Sequence, residues 1–302
     1  MSLDSLLTEQ RNPASENLDA LSTFEMMRVM NHEDHKVADA VGRAIPEIAK
    51  AVDAIADRLE AGGRMFYVGA GTSGRLGVLD ASECPPTFSV PYEMIQGVMA
   101  GGMTALYSAT EASEDSVELG RTDLEAKGFT KGDVAVGIAA SGRTPYVLGA
   151  IAYAKELGAL TVGVSCTPHS QLSRSVDIGI EAAPGAEVVA GSTRLRAGTA
   201  TKMVLNMLST GVMVRLGHVY GNLMVNLKPS NEKLVDRARR IVSQAAGVPY
   251  EEAAQLLDAA GMVVKTAIVM GKLRIGKDEA EQSLRASHGR IRAVLAQEGL
   301  NG

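Results

Sequence analysis

The chain has 302 residues, a formal net charge of −5 and 46% hydrophobic residues, enough for one substantial core and one small appended domain. The mildly acidic balance leaves no electrostatic footprint for nucleic acid, and 4% aromatic residues with no tryptophan leave few platforms for stacking bases. Packing must rest on Ala, Val, Leu, Ile and Met, with 32 glycines allowing helices and sheet to approach closely.

The opening stretch Met1–Glu9 has neither the basic start nor the apolar run of a secretory signal, and no segment reaches transmembrane length without polar interruption. A cytoplasmic protein with no membrane partner is expected. Its two cysteines, Cys84 and Cys166, lie far apart and are too few for a disulfide framework, so reduced thiols are expected.

From Asn31 to Gly62, Val37, Val41, Ile45, Ile48, Val52, Ile55 and Leu59 recur at three- and four-residue intervals, which predicts a helical arm bent at Pro46. Within it, His32-Glu33-Asp34-His35 puts two histidines on one helical face. It is not the H-E-x-x-H pattern and has no evident third ligand, so no metal is assigned.

After Arg64 short apolar runs alternate with helical patterns. Strands are predicted near 65–69, 132–140, 160–166 and 178–181, and helices near 74–82, 115–126 and 145–157. That alternation predicts an α/β fold with a doubly wound, mostly parallel sheet. Two strands feed loops of unusual composition, Gly69-Ala70-Gly71-Thr72-Ser73-Gly74 and Ser141-Gly142-Arg143-Thr144. Loops at the carboxyl edge of a parallel sheet are where such folds bind ligands. An anion there needs free backbone N–H groups at a helix start and small side chains that let it approach. Gly71, Thr72, Ser73, Ser141, Gly142 and Thr144 meet that need, and Arg143 adds a guanidinium fork suited to two phosphate oxygens. The pair predicts a cradle for a phosphate ester on a small molecule.

No G-x-x-x-x-G-K-[ST] stretch occurs, which excludes a Walker nucleotide site. Gly69, Gly71 and Gly74 satisfy G-x-G-x-x-G, and Glu93, about twenty residues on, keeps a dinucleotide reading open.

Two carboxylates are candidates for acid–base work. Glu83, in Asp80-Ala81-Ser82-Glu83-Cys84-Pro85-Pro86, is expected at the end of the helix that leaves the first loop, where the prolines stop it and the helix dipole disfavours its charge. Glu114, in Glu111-Ala112-Ser113-Glu114-Asp115, also reads as part of a solvated helix start capped by Ser113. His169, His218 and His288 are scattered and read as structural.

A long helix near 195–216 carries Val204, Met207, Leu208 and Val212 as a core or subunit-contact stripe. Beyond Asn231 the pattern is wholly helical, with Pro249 at a helix start and glycines 261, 271, 276 and 289 as punctuation. The alternating charges from Lys272 to Arg292 read as a solvated face. The implied division is a helical arm over 1–62, a ligand-binding domain over 63–225 and a helical subdomain over 226–302. Gly261–Lys265 resembles part of ubiquitin-associated three-helix modules, a likeness that does not imply ubiquitin binding.

From about Thr8 onward the chain resembles the N-acetylmuramic acid 6-phosphate etherases, a bacterial family built on the sugar isomerase (SIS), flavodoxin-like fold. The likeness is densest in Phe66–Phe88, with further stretches in Ala139–Tyr146 and Gly191–Thr199. It implies a phosphosugar substrate, a homodimer, no cofactor, and cleavage of the ether that joins D-lactate to C3 of the amino sugar. It also implies that Glu83 is the general acid and Glu114 the base that takes the C2 proton. Such chemistry needs one carboxyl protonated and the other ionised, hence unequal surroundings. The third stretch departs from the family signature, with Ala186 before Glu187 and Arg196 in place of a lysine, which bears on how the sugar is placed. An aldose–ketose isomerase would use the same cradle without releasing lactate. A sensor such as the glucokinase regulatory protein would bind the ligand without turnover, although that regulator is a larger, two-unit chain.

Overall fold

The computed structural model describes residues 7–108 and 111–299, so the first six residues of the stretch read for a leader lie outside it. Two short 3₁₀ turns, Pro13–Ser15 and Leu18–Ala20, lead into α1 (Thr23–Arg43). This helix begins upstream of the apolar repeat because Ser22 and Glu25 form a reciprocal capping box. The arm breaks at Ala44, and α2 (Ile45–Glu60) takes Pro46 into its first turn, where a missing N–H costs nothing.

Five parallel strands follow: β1 (Met65–Gly69), β2 (Ile95–Met99), β3 (Val134–Ile138), β4 (Leu160–Ser165) and β5 (Ile178–Glu181). Their order, β2-β1-β3-β4-β5, is the flavodoxin-like doubly wound sheet. Every residue of β1 and β3 is buried, as expected of strands covered on both faces. The winding reverses between β1 and β3, so their two following loops flank the topological switch point.

β2 has no counterpart among the predicted strands, because half-buried Gln96 and Gly97 interrupt the apolar run at the sheet edge. The strand begins after Glu93, so that carboxylate stands at the amino edge, opposite to where a ribose-binding acid would be. The dinucleotide reading loses its acidic partner.

The helices of this region are α3 (Gly71–Phe88), α4 (Glu111–Glu114), α5 (Val117–Ala126), α6 (Pro145–Glu156), α7 (Gln171–Ser175) and α8 (Arg196–Arg215). The prolines do not stop α3: Pro85 and Pro86 lie inside it. The ring N atoms forfeit two bonds near the helix end, but Phe88 is buried, its carbonyl accepts from Asn226 Nδ2 at 2.8 Å, and the Ser89 N–H closes the last turn on Pro85 O at 2.9 Å. Tertiary contacts here outweigh the local breaker.

The chain divides into two compact units, one running up to Ser82 and then over Tyr92–Ser209, the other comprising Glu83–Pro91 and everything from Thr210 on. In the first, Phe66, Val68, Leu124, Tyr146, Ile151 and Leu172 share a core. Each such side chain contributes about 1.5–3 kcal/mol relative to exposure. The second unit holds a small hairpin, β6 (Val219–Tyr220) with β7 (Leu223–Met224), and five helices: α9 (Glu232–Ala246), α10 (Tyr250–Ala259), α11 (Val264–Leu273), α12 (Lys277–Ala286) and α13 (Ile291–Gln297). Gly247 ends α9 in the left-handed region and Pro249 caps α10. Val242, Leu257, Ile268, Val269 and Val294 form its core.

Candidate active site

The site starts from two glycines. A Cβ at Gly69 would lie 2.7 Å from Gly74 N, and one at Gly74 would lie 2.7 Å from Gly69 O. Only the absence of both side chains lets the first turn of α3 fold straight back onto the end of β1. Between them Gly71 adopts φ +52°, opening the helix with half-buried Thr72 and Ser73. The first loop therefore presents a helix amino end, its hydroxyls and its free N–H groups at the carboxyl edge of the sheet.

The second loop is a turn fixed by backbone bonds. Gly142 N–H donates to Ala139 O at 2.8 Å, and Leu172 N–H donates to Gly142 O at 2.9 Å. Gly142 has φ +67°, and a Cβ there would meet Ser170 Cβ at 2.3 Å. Ser141 Oγ accepts the Arg143 N–H at 3.4 Å, Arg143 is exposed, and Thr144 stands at the N-cap position of α6 without a side-chain bond to it. Beside this loop a cavity of about 150 Å³ is lined by Ser141, Arg143, Thr167, His169, Gln171 and Arg174. Two guanidinium groups at one small opening suit an anionic ligand.

Glu114 joins the first loop. Its Oε1 lies 3.0 Å from the point where a Cβ of Gly71 would sit. The fold thus brings Glu114 to the start of the Gly71-Thr72-Ser73 run, from which it is distant in sequence. Glu83 is different: it is exposed, it does not end its helix, and α3 carries it twelve residues beyond Gly71, roughly 18 Å along the axis. Its own helix does not deliver it to its own first loop.

The third stretch reaches the same edge. A Cβ at Gly198 would lie 3.6 Å from Thr72 Cγ2, so the start of α8 packs on the first loop. Glu187 holds that start, accepting the N–H of Arg196 and of Ala197 at 2.9 Å each. Burial pushes the Glu187 carboxyl above the usual range, and those N–H groups and the Arg196 charge offset it only in part.

The Arg196 guanidinium is engaged by protein groups. It is buried, pairs with Glu33 Oε2 at 3.0 Å, and donates to the carbonyls of Ala186, at 2.5 Å, and of Pro184. One departure thus touches the backbone of the other: the planar Arg196 fork spans two main-chain carbonyls and a carboxylate, and the carbonyl at 186 is offered whichever residue stands there. Burial works against the charge of Glu33, but bonds from Lys36 and Asn12 and the Arg196 charge outweigh it and hold the carboxyl low. Nothing in the sequence marks Glu33 beyond its place in a metal-like run; its burial on α1 emerges only in the fold.

A buried polar network lies under α3. Asp80 accepts from Tyr67 Oη at 2.9 Å, Asn206 Nδ2 at 2.6 Å and Ser209 Oγ at 3.2 Å, tying α3 to β1 and α8. His32 and His35 are exposed, and among the described residues no group of three or more His, Cys, Asp or Glu side chains is arranged to hold a metal ion. Cys84 and Cys166 are buried and unbridged, and burial pushes the Cys166 thiol up to about 12, leaving it inert at neutral pH. His218 lies in the second unit beside Phe88 and Asn226, lowered to about 4 by burial and the nearby Lys265 charge. No single described helix is long and apolar enough to cross a membrane.

A family model described as the glucokinase regulatory protein N-terminal SIS domain matches residues 47–155, and a SIS domain model matches residues 123–211. Among solved structures, a phosphoheptose isomerase from Francisella tularensis is similar at TM-score 0.48 and 15% identity, covering 64% of this chain and 100% of that one. An N-acetylmuramic acid 6-phosphate etherase of Clostridium beijerinckii is 52% identical over 98% of this chain and 97% of its own length. One of Yersinia pestis is 53% identical over 98% of this chain and 100% of its own. A fold with a glycine-built cradle at its switch point, and half of all residues shared from end to end with these relatives, lead to one assignment: the chain belongs to the N-acetylmuramic acid 6-phosphate etherase family.

Proposed function

We propose that the chain cleaves the lactyl ether of N-acetylmuramic acid 6-phosphate with water, giving N-acetylglucosamine 6-phosphate and D-lactate. The reading rests most on one observation, the Glu114 carboxylate standing against Gly71 at the mouth of the phosphate loop. The two loops hold the phosphate. In the open-chain sugar the C1 aldehyde acidifies the C2–H bond. Ionised Glu114 takes that proton, the electron pair forms C2=C3, and the C3–O bond breaks. Protonated Glu83 gives its proton to the departing lactate oxygen. Water then adds to the unsaturated aldehyde in the reverse sense: Glu83 takes a proton from the attacking water and Glu114 returns one to C2. No cofactor is needed.

The distance of Glu83 along α3 gives this proposal a quaternary requirement. Glu83 serves the site of a second copy, in a homodimer whose contacts would also cover Phe24, Met27 and Leu79, which are exposed on α1 and α3. The setting is the cytoplasm, where a phosphorylated sugar is retained.

The test is incubation with N-acetylmuramic acid 6-phosphate in deuterium oxide. Lactate release with one deuterium at C2 of the product is expected. Binding without lactate release would replace this reading with a sensor, and conversion to a ketose would replace it with an isomerase.

A further inference from the structure

Two described stretches between β2 and α5, one on each side of residues 109–110, meet α3. After β2, Gly101 and Gly102 adopt φ +79° and +61°, left-handed values that turn the chain sharply into a 3₁₀ helix over Gly102–Leu106. Ala105 is buried within that helix, and the Tyr107 and Ser108 N–H groups close on Thr104 O at 3.2 and 3.1 Å. The Ala105 and Leu106 carbonyls at its end are taken by one side chain. Arg75 NH2 donates to Ala105 O at 2.7 Å, and Arg75 Nε donates to Leu106 O at 3.2 Å.

Arg75 lies four residues beyond Gly71, so the two share one face of α3 a turn apart. That face meets the chain after β2 twice, holding Ala105–Leu106 through the guanidinium and letting Glu114 come close to the bare Cα of Gly71. A cation beside a phosphate loop would ordinarily be assigned to the phosphate. Here its fork is spent on carbonyls, in a planar geometry that a lysine cannot reproduce.

We propose that Arg75 is a positioning residue for Glu114: by clamping the end of the 3₁₀ helix it fixes the carboxylate at the angle needed to take the C2 proton. The proposal rests on the etherase reading of Glu114, and it makes the clamp part of proton abstraction rather than of substrate affinity.

The experiment compares wild type with R75M and R75K on N-acetylmuramic acid 6-phosphate carrying hydrogen or deuterium at C2. In R75M, kcat should fall about 10- to 100-fold, the cost of a misplaced base, while KM stays within about threefold. The primary isotope effect on kcat should rise as proton abstraction becomes limiting. R75K, which restores one bond, should lie between the two. Unchanged kcat, or a loss carried wholly in KM, would overturn the proposal, the latter by making Arg75 a substrate ligand. Amide hydrogen exchange of residues 101–108 and 111–116 is read on the same proteins. Faster exchange confined to them in R75M is expected, and protection equal to wild type would sink the clamp. If wild type releases no lactate, the etherase reading fails by itself, and the exchange result still decides whether Arg75 holds the segment.

Discussion

The two edges of the sheet treat their charges in opposite ways. At the amino edge Asp133, just before β3, is buried and saturated. It accepts from Arg64 N at 2.8 Å, Nε at 3.1 Å and NH2 at 2.8 Å, and from Thr130 N at 2.8 Å and Oγ1 at 3.1 Å. Asp177, before β5, similarly takes Thr161 N at 2.9 Å and Oγ1 at 2.8 Å. Each of these aspartates staples its strand to a neighbour. At the carboxyl edge the chain instead spends glycines and hydroxyls on open loops, and its buried ionic cluster is imperfect: Arg196 Nε has no partner among the described residues. Burial opposes the Asp133 charge, but the Arg64 and Thr130 bonds win and its carboxyl is held low, whereas Glu187 is pushed up. The amino edge stores stability, and the carboxyl edge keeps donors for a ligand.

Substitutions at the two glutamates disable the carboxyl edge alone. Glu83→Gln and Glu114→Gln should each lower kcat by about 10²- to 10⁴-fold, the scale of general acid–base catalysis, with urea midpoints near wild type. The quaternary requirement adds a sharper outcome. Unfolding and refolding the two inactive variants together should restore up to about a quarter of wild-type activity, because half of the random dimers carry one intact composite site. No recovery on mixing, with dimers confirmed by sedimentation, would mean that both glutamates act within one chain.

The same comparison explains what the sequence made legible. The two loops were legible as turns because glycine, serine and threonine after an apolar run mark the passage from strand to helix, and β1 and β3 were plain because strands buried on both faces read as unbroken apolar runs. The edge strand β2 was hidden by Gln96 and Gly97, and a Cβ at Gly97 would lie 2.7 Å from Val78 Cα, so the residue that weakened the strand signal is there for helix packing. The reach of α3 past Pro85–Pro86 was invisible because buried Phe88 and distant Asn226 stabilise it. Arg196 drew notice as a substituted cation, but its carbonyl partners could be known only once the turn at Pro184–Ala186 was folded. The clamp by Arg75 was illegible for the same reason, since nothing in the sequence links it to Ala105 and Leu106.

The next effect breaks the amino edge. Asp133→Asn keeps the shape but leaves the Arg64 guanidinium without its counter-charge. The cost should be about 3 kcal/mol, at the low end for a severed buried pair because Arg64 keeps 29% of its side chain exposed. Urea unfolding measures the loss. The folded fraction should retain wild-type kcat, since this edge does not touch the ligand. A fall in kcat at saturating substrate that outpaces the loss of folded protein would show that the edges are not independent.

The smallest effect is a difference in sign with pH. The folded chain holds Asp133 below its ordinary value, so the stability it contributes is present above that value and is lost as acid protonates the folded state. Glu187 is held above its ordinary value, so the folded chain binds its proton more tightly than the unfolded chain does. Stability from this group falls as pH rises from the ordinary glutamate value through the raised one. A single carboxyl tilts the curve by at most about 1.4 kcal/mol per pH unit. Urea unfolding between about pH 4 and pH 7 should therefore show Glu187→Gln losing the downward tilt that wild type carries, even if the variant starts lower for want of one of its two N–H acceptors. Parallel curves for the two proteins would mean that Glu187 carries no uncompensated burial. The carboxyl edge would then be as well satisfied as the amino edge, and the contrast between them would reduce to the glycines of the two loops.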